Sequence, residues 1–100
     1  MMPETIVARV AHVNVYTTGP ACVQCQATKY WLRKNGIEHH EVRLDAPVNA
    51  AKAERFKADG FRAAPVVEII RTDGQVVRWA GHRVSRLEML IGETLIGGVK

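Results

Sequence analysis

Only two cysteines and four prolines occur in the 100 residues, Phe, Trp and Tyr appear twice each, and no run of like charge is present. Each scarcity excludes something. Two thiols cannot build the multi-disulfide framework of a small secreted domain, nor a zinc site made of cysteines alone. The uncharged stretch before Lys29 contains Gly, Pro, Asn and Gln and is not apolar enough to span a bilayer. Met1-Met2-Pro3-Glu4-Thr5 has no basic region and leads into no apolar signal core, so a cytoplasmic protein without membrane association is expected. The net charge is +4, but the basic residues are scattered, and no nucleic-acid partner is expected. One hundred residues suffice for one core and not two. The whole chain, 1–100, is read as one domain, with 1–10 as a flexible N-terminal extension.

What is present is concentrated at Cys22-Val23-Gln24-Cys25, which follows a β-branched stretch and opens a segment of helical pattern. That context reads as redox chemistry. Helical residues three apart share a face, with Cβ atoms roughly 5–6 Å apart, slightly beyond the roughly 3.5–4.5 Å of a disulfide. A small adjustment therefore opens or closes the bond. Orphan N–H groups and the positive dipole end at a helix start favour an anion, and the thiolate is the form that attacks disulfides. Cys22, in the first turn, is the candidate nucleophile, and Cys25, a turn deeper, the candidate resolving thiol. Three other readings stay open at this point. A structural disulfide closing so short a loop would stabilise little. A zinc site would need histidines, and the adjacent His39 and His40 point to opposite faces of a strand. The third is a thiol pair without activity.

The rest of the chain reads as α/β. A strand is expected over Ala11–Tyr16, then a turn at Thr18-Gly19-Pro20. A helix follows from Cys22 to Asn35, with Ala27, Tyr30 and Trp31 on its inner face and Gly36 as its stop. A second strand, Glu38–Leu44, would pair in parallel with the first. Asn49–Asp59 reads as a second helix carrying Ala53 and Phe56, with Phe61 nearby and Gly60 as its end. Val66–Arg71 and Val76–Trp79 flank Asp73-Gly74, a hairpin signal that makes the last two strands antiparallel. Ser85-Arg86-Leu87-Glu88 has the capping-box pattern, so a final helix would begin at Ser85, carry Leu87, Leu90, Ile91 and Leu95, and end at Gly97-Gly98. The order is β-α-β-α-β-β-α, with the thiols at the carboxyl end of the first strand, where open α/β sheets place their sites.

With these residues in place the chain resembles the thioredoxin fold, and within it the glutaredoxin-like NrdH-redoxins. Val15-Tyr16-Thr17 leads into the thiol motif and Ala27-Thr28-Lys29. Ala63-Ala64-Pro65-Val66-Val67 is similar to that family's proline loop, and Trp79-Ala80-Gly81-His82-Arg83 to its Trp-Ser-Gly-Phe-Arg segment. The resemblance implies a four-stranded mixed sheet flanked by three helices. It also implies a dithiol electron donor to ribonucleotide reductase, re-reduced by thioredoxin reductase, acting as a monomer without a metal or organic cofactor. A cis Ala64–Pro65 bond is implied, which would offer the Ala64 backbone to an extended client segment. Val23, Gln24, Ala64, Pro65, Trp79, Gly81, His82 and Arg83 become candidate substrate-binding residues, in a groove bordered by Cys22, Ala64 and Trp79. Trp79 reads equally well as a core aromatic.

Three departures from the family pattern stand out. His82 replaces a Phe, Val84 replaces a Pro, and the loop Thr17-Thr18-Gly19-Pro20-Ala21 is one residue longer and lacks a lysine. In glutaredoxins that lysine helps hold glutathione, so its absence argues against glutathione as the reductant and leaves helix-end electrostatics to favour the Cys22 thiolate. His12, His39 and His40 read as strand surface residues, whereas His82 would approach the site and tune the thiols. The alternatives are a glutathione-dependent glutaredoxin, a general protein-disulfide reductant, and a non-catalytic module binding zinc or an iron–sulfur cluster.

Overall fold

The structure, a computed structural model, describes residues 9–90. Strand β1 (Val10–Thr17) enters helix α1 (Val23–Lys34), followed by strand β2 (His40–Arg43). A 3-10 turn at Pro47–Asn49 precedes helix α2 (Ala50–Ala58), and strands β3 (Val66–Arg71) and β4 (Val76–Ala80) form the hairpin. A third helix, α3, starts at Val84 and occupies 84–90. The sheet order is β2-β1-β3-β4, with β1 parallel to β2 and antiparallel to β3, and β3 antiparallel to β4. This is the thioredoxin-like α/β arrangement the sequence pattern implies.

Period-two alternation in the strands divides the side chains between two layers. Val13 and Val15 of β1, Val67 and Ile69 of β3 and Trp79 of β4 bury against Leu32 of α1 and Leu87 and Leu90 of α3. On the opposite face Tyr16 and Val66 pack with Phe56 of α2. Tyr16 and Phe61 each meet the Phe56 ring edge-on, with centroids 4.9 and 5.8 Å away. The sheet thus has buried residues on both of its faces.

Several boundaries differ from expectation. β1 begins at Val10, inside the supposed extension, and just before it Arg9 and Thr72 exchange hydrogen bonds of 3.0 and 2.8 Å. Residues 1–8 of that extension lie outside the described residues. β2 is shorter than Glu38–Leu44, because His39 turns its Nδ1 to the Ile37 carbonyl at 3.0 Å. Tyr30 is 59% exposed. The buried residues of α1 are Cys25, Thr28 and Leu32, with Trp31 packed against the core as expected and Ala27 half-buried. The last helix begins one residue early. The Arg83 carbonyl accepts from the Arg86 and Leu87 N–H groups at 3.1 and 3.0 Å, so Arg83 takes the capping position and Ser85 lies within the helix. Ile91, Leu95, Gly97 and Gly98 lie outside the described residues.

Candidate functional site

The local sequence places the two sulfurs at one helix start. Cys22 is the N-cap of α1 in extended conformation, and its sulfur accepts the Cys25 N–H at 3.1 Å. A Cys side chain thereby does what Ser or Asp does at most caps, filling one of the orphan donors. No acidic residue stands in the first turn of α1, so nothing there opposes negative charge on sulfur. Cys22 and Cys25 form a disulfide with Cα atoms 5.2 Å apart. Cys22 is half-buried and Cys25 has no exposed surface. Between them Val23 is 80% exposed, so the motif presents Cys22 and an apolar side chain outward while Cys25 faces the core.

Sheet register brings the proline loop to the same end. Tyr16 pairs with Val66, and Val66 with Ala80, so the residues just beyond, Thr17, Pro65 and Gly81, gather where β1 hands over to the thiol loop. The Ala64–Pro65 bond is cis. Pro65 is fully buried and Ala64 half-buried. The Gly81 N–H donates to the Pro65 carbonyl at 2.7 Å.

Gly81 also explains how the loop meets the helix. Its φ is +91°, and an added Cβ would stand 3.3 Å from Gln24 Oε1, so only glycine allows this approach without strain. The same Gln24 oxygen accepts the His82 N–H at 2.9 Å. His82 Nδ1 and Thr28 Oγ1 are 2.8 Å apart and share one hydrogen bond, whose donor depends on the His82 tautomer. Arg83 Nε donates to the Ala80 carbonyl at 3.1 Å and fixes the loop's exit. Gln24, Pro65, Gly81, His82 and Arg83 therefore form one continuous scaffold between α1 and the proline loop.

Trp79 is the exception. It is buried in the core cluster with Leu87 and Leu90, and Arg86 of α3 lies 5.8 Å above its ring. Its cross-strand partner is Val67, which faces the α1 side of the sheet, so the position fits the core-aromatic reading, and the small concavity that Trp79 lines is shared with Arg86, Met89 and Leu90 and not with Cys22 or Ala64. The concavity next to the site lies on the other side of Ala64. It has a volume of about 310 Å³ and is lined by Leu44, Phe56, Phe61 and Val66, together with Lys57 and Arg62.

Two charged networks stand behind the site. Thr17 donates to Glu41 at 2.7 Å and Lys29 donates to the other oxygen at 3.0 Å. The Thr17 hydroxyl, opposed by burial and aided by Lys29, holds the Glu41 carboxyl below the usual glutamate range. Farther along the sheet, buried Glu68 accepts from Asn14 and Tyr16 at 2.9 Å each and from Arg78 at 2.7 Å. Burial disfavours its charge, but the three donors outweigh burial and leave its acid constant lowered. Burial, then the Glu68 bond and charge, pushes the Tyr16 phenol up to about 12.

Four participants went unseen in the sequence. Thr28 was noted only as part of a motif. Gly19, Arg43 and Asp45 come together beside the pre-cysteine loop, and the adjacent opposite charges of Arg43 and Asp45 at a strand end were the available signal. Among the described residues no group of three or more His, Cys, Asp or Glu is disposed to hold a metal ion, and no helix is long and apolar enough to cross a membrane. His12 and His40 are exposed on their strands.

Comparison with known proteins matches residues 13–77 to the Glutaredoxin family. The Glutaredoxin-like protein NrdH of Escherichia coli (strain K12) is 35% identical over 78 residues, covering 78% of this chain and 86% of that protein. The solved structure of the glutaredoxin-like NrdH-redoxin from Escherichia coli, a protein with a thioredoxin-like activity profile, superposes with a TM-score of 0.62 at 35% identity. It covers 79% of this chain and 93% of that one. A thioredoxin-like protein, the T8A mutant of BC3987, superposes with a TM-score of 0.61 at 26% identity, covering 83% of this chain and 97% of its own.

Proposed function

This chain belongs to the glutaredoxin family of thiol-disulfide oxidoreductases, and we propose that it is an NrdH-type electron donor that reduces a disulfide of ribonucleotide reductase and is re-reduced by thioredoxin reductase. The observation that carries the reading is the asymmetry of the thiol pair. Cys22 is accessible and caps α1 with its sulfur, whereas Cys25 is sealed beneath it. Reduced Cys22 gains as a thiolate from the Cys25 N–H and the helix start. It attacks one sulfur of the client disulfide and expels the other as a thiolate. Cys25 then attacks the Cys22 sulfur of the mixed disulfide, releasing the client as a dithiol and leaving Cys22–Cys25 oxidised. Two electrons pass to the client, and two from thioredoxin reductase restore the pair. Turnover in this scheme needs no metal or organic cofactor, and it is carried out by a cytoplasmic monomer.

Docking of the client falls to Val23, Gln24, Ala64 and Pro65, with Gly81, His82 and Arg83 holding the loop behind them. An extended segment lying along Ala64 would pair with its backbone as a short added strand, and the neighbouring concavity gives room for one of its side chains. The thioredoxin-like activity profile of the Escherichia coli relative favours thioredoxin reductase over glutathione as the source of electrons, as does the missing loop lysine. A coupled NADPH-oxidation assay tests both partners. Turnover is expected with thioredoxin reductase plus ribonucleotide reductase. Re-reduction by glutathione alone at an equal rate would reject the reductant, and equal turnover with an unrelated disulfide would reject the specific client.

A further inference from the structure

The loop that delivers Cys22 contains no charged residue from Thr17 to Ala21, yet it lies against a charged pair from another part of the chain. Arg43 ends β2, and its Nε and Nη2 donate to the two carboxylate oxygens of Asp45 at 2.7 and 2.6 Å. This two-pronged geometry fixes both side chains in one plane. Each partner's acid constant is moved by the other's hydrogen bond, up for Arg43 and down for Asp45, so the pair stays ionised at neutral pH.

Gly19 lies beside that pair, with room for no side chain between them. It is buried with φ at +119°, and a Cβ there would meet Asp45 Oδ2 at 3.2 Å and Arg43 Nη2 at 3.5 Å. The Gly19 carbonyl accepts the Cys22 N–H at 3.2 Å, so the residue beside the ion pair also holds the backbone of Cys22. The turn carrying the pair is itself tied down. Leu44 N–H donates to the Thr17 carbonyl at 2.7 Å, and the Arg43 carbonyl accepts from Ala46 N–H at 3.2 Å and from Asn49 Nδ2 at 2.8 Å.

We infer that Arg43 and Asp45 are positioning residues, a brace on which Gly19 rests so that Cys22 keeps its cap geometry and its reactivity. The inference rests on Cys22 being the attacking thiol. A pair that merely supplied local charge would act differently, because Arg43 and Asp45 carry opposite signs whereas a brace needs both.

The test is the rate at which iodoacetamide labels the reduced full-length protein at neutral pH, with the labelled cysteine located by mass spectrometry. Arg43→Gln and Asp45→Asn are both expected to slow labelling of Cys22 by about three- to tenfold, the scale on which a helix cap acts. Exchange of the Cys22 amide hydrogen should quicken in both. Arg43→Lys, which keeps the charge and loses the fork, should resemble Arg43→Gln. Opposite shifts in Arg43→Gln and Asp45→Asn, or wild-type rates in both, would overturn the brace. Should either variant fail to fold, the exchange measurement on Arg43→Lys decides alone, and wild-type exchange at Cys22 rejects the proposal. Labelling of Cys25 instead of Cys22 in the wild type would reject the thiol assignment and leave the brace geometry standing.

Discussion

Cys22 caps α1 with its sulfur, and in the proposed mechanism it is also the attacking group; the two roles would reinforce each other, because the N–H that satisfies the cap also stabilises negative sulfur. Cys25 gains nothing comparable and is closed to solvent, so it can act only on a sulfur already bonded to Cys22. Cys22→Ser should therefore reduce disulfide-reductase turnover to background. Cys25→Ser should accumulate a covalent complex with the client, visible as a band that reductant removes on gel electrophoresis. Full turnover by Cys25→Ser without a trapped complex would reverse the roles. At the same scale, His82 is held by Thr28 and Gln24 in a place where the family pattern has an aromatic ring. His82→Phe keeps the Gln24 bond, which uses the backbone, and loses only the Thr28 bond. It should cost about 0.5–1.5 kcal/mol of stability, read from urea unfolding. A titration of Cys22 labelling against pH that is identical in wild type and His82→Phe would remove any part for His82 in tuning the thiols.

Elements matter through their ends, where β1, β3 and β4 deliver the thiol loop, the proline loop and Gly81 to one edge. Gly81 joins two of them, by its N–H to Pro65 and by its closeness to Gln24 of α1. Gly81→Ala places a side chain at positive φ against the Gln24 oxygen, and should destabilise the fold by about 1–3 kcal/mol while weakening the His82–Gln24 bond. Unchanged stability in urea would show that the loop shifts freely. Much of this arrangement was legible beforehand. Val66–Arg71 and Asp73-Gly74 carry strong local signals, β-branched content and a turn requiring positive φ, and both elements fall where those signals put them. The thiol motif and the proline loop were equally plain. Trp79 was not, because its place depends on β4 pairing with β3 through Val67, a tertiary fact that no spacing reveals. Tyr30 and Ser85 failed for related reasons. The buried face of α1 is the one that carries Cys25, Thr28 and Leu32, and the start of α3 is set by the Arg83 carbonyl, so local pattern yields to packing in both cases. The approach of Arg43 and Asp45 to Gly19 spans more than twenty residues of sequence and left only a pair of neighbouring charges as its trace.

At the scale of the molecule, two carboxylates are tied to the sheet among the described residues, Glu68 buried and Glu41 at the surface. Glu68 joins β1, β3 and β4 through Asn14, Tyr16 and Arg78, and Glu41 joins β1, β2 and α1 through Thr17 and Lys29. Both have acid constants lowered in the folded state. Their contribution is therefore present above the unfolded carboxyl value of about 4.3 and is lost as pH falls through the lower folded value. Tyr16 has the opposite sign. Its folded value of about 12 exceeds the unfolded value of about 10, so its contribution is present below about pH 10 and disappears as pH rises towards 12. The stability profile should fall at both ends, with a carboxylate limb on the acid side and a phenol limb on the alkaline side. Glu68→Gln tests the first, because the amide fills the same space and cannot ionise. It should lower stability at pH 7 by about 1–3 kcal/mol, the scale of hydrogen bonds to a charged group, and flatten the acid limb measured by urea unfolding between pH 7 and pH 3. An acid limb as steep in Glu68→Gln as in the wild type would mean that the sheet's pH response comes from elsewhere in the molecule, with Glu41 the next carboxylate to remove.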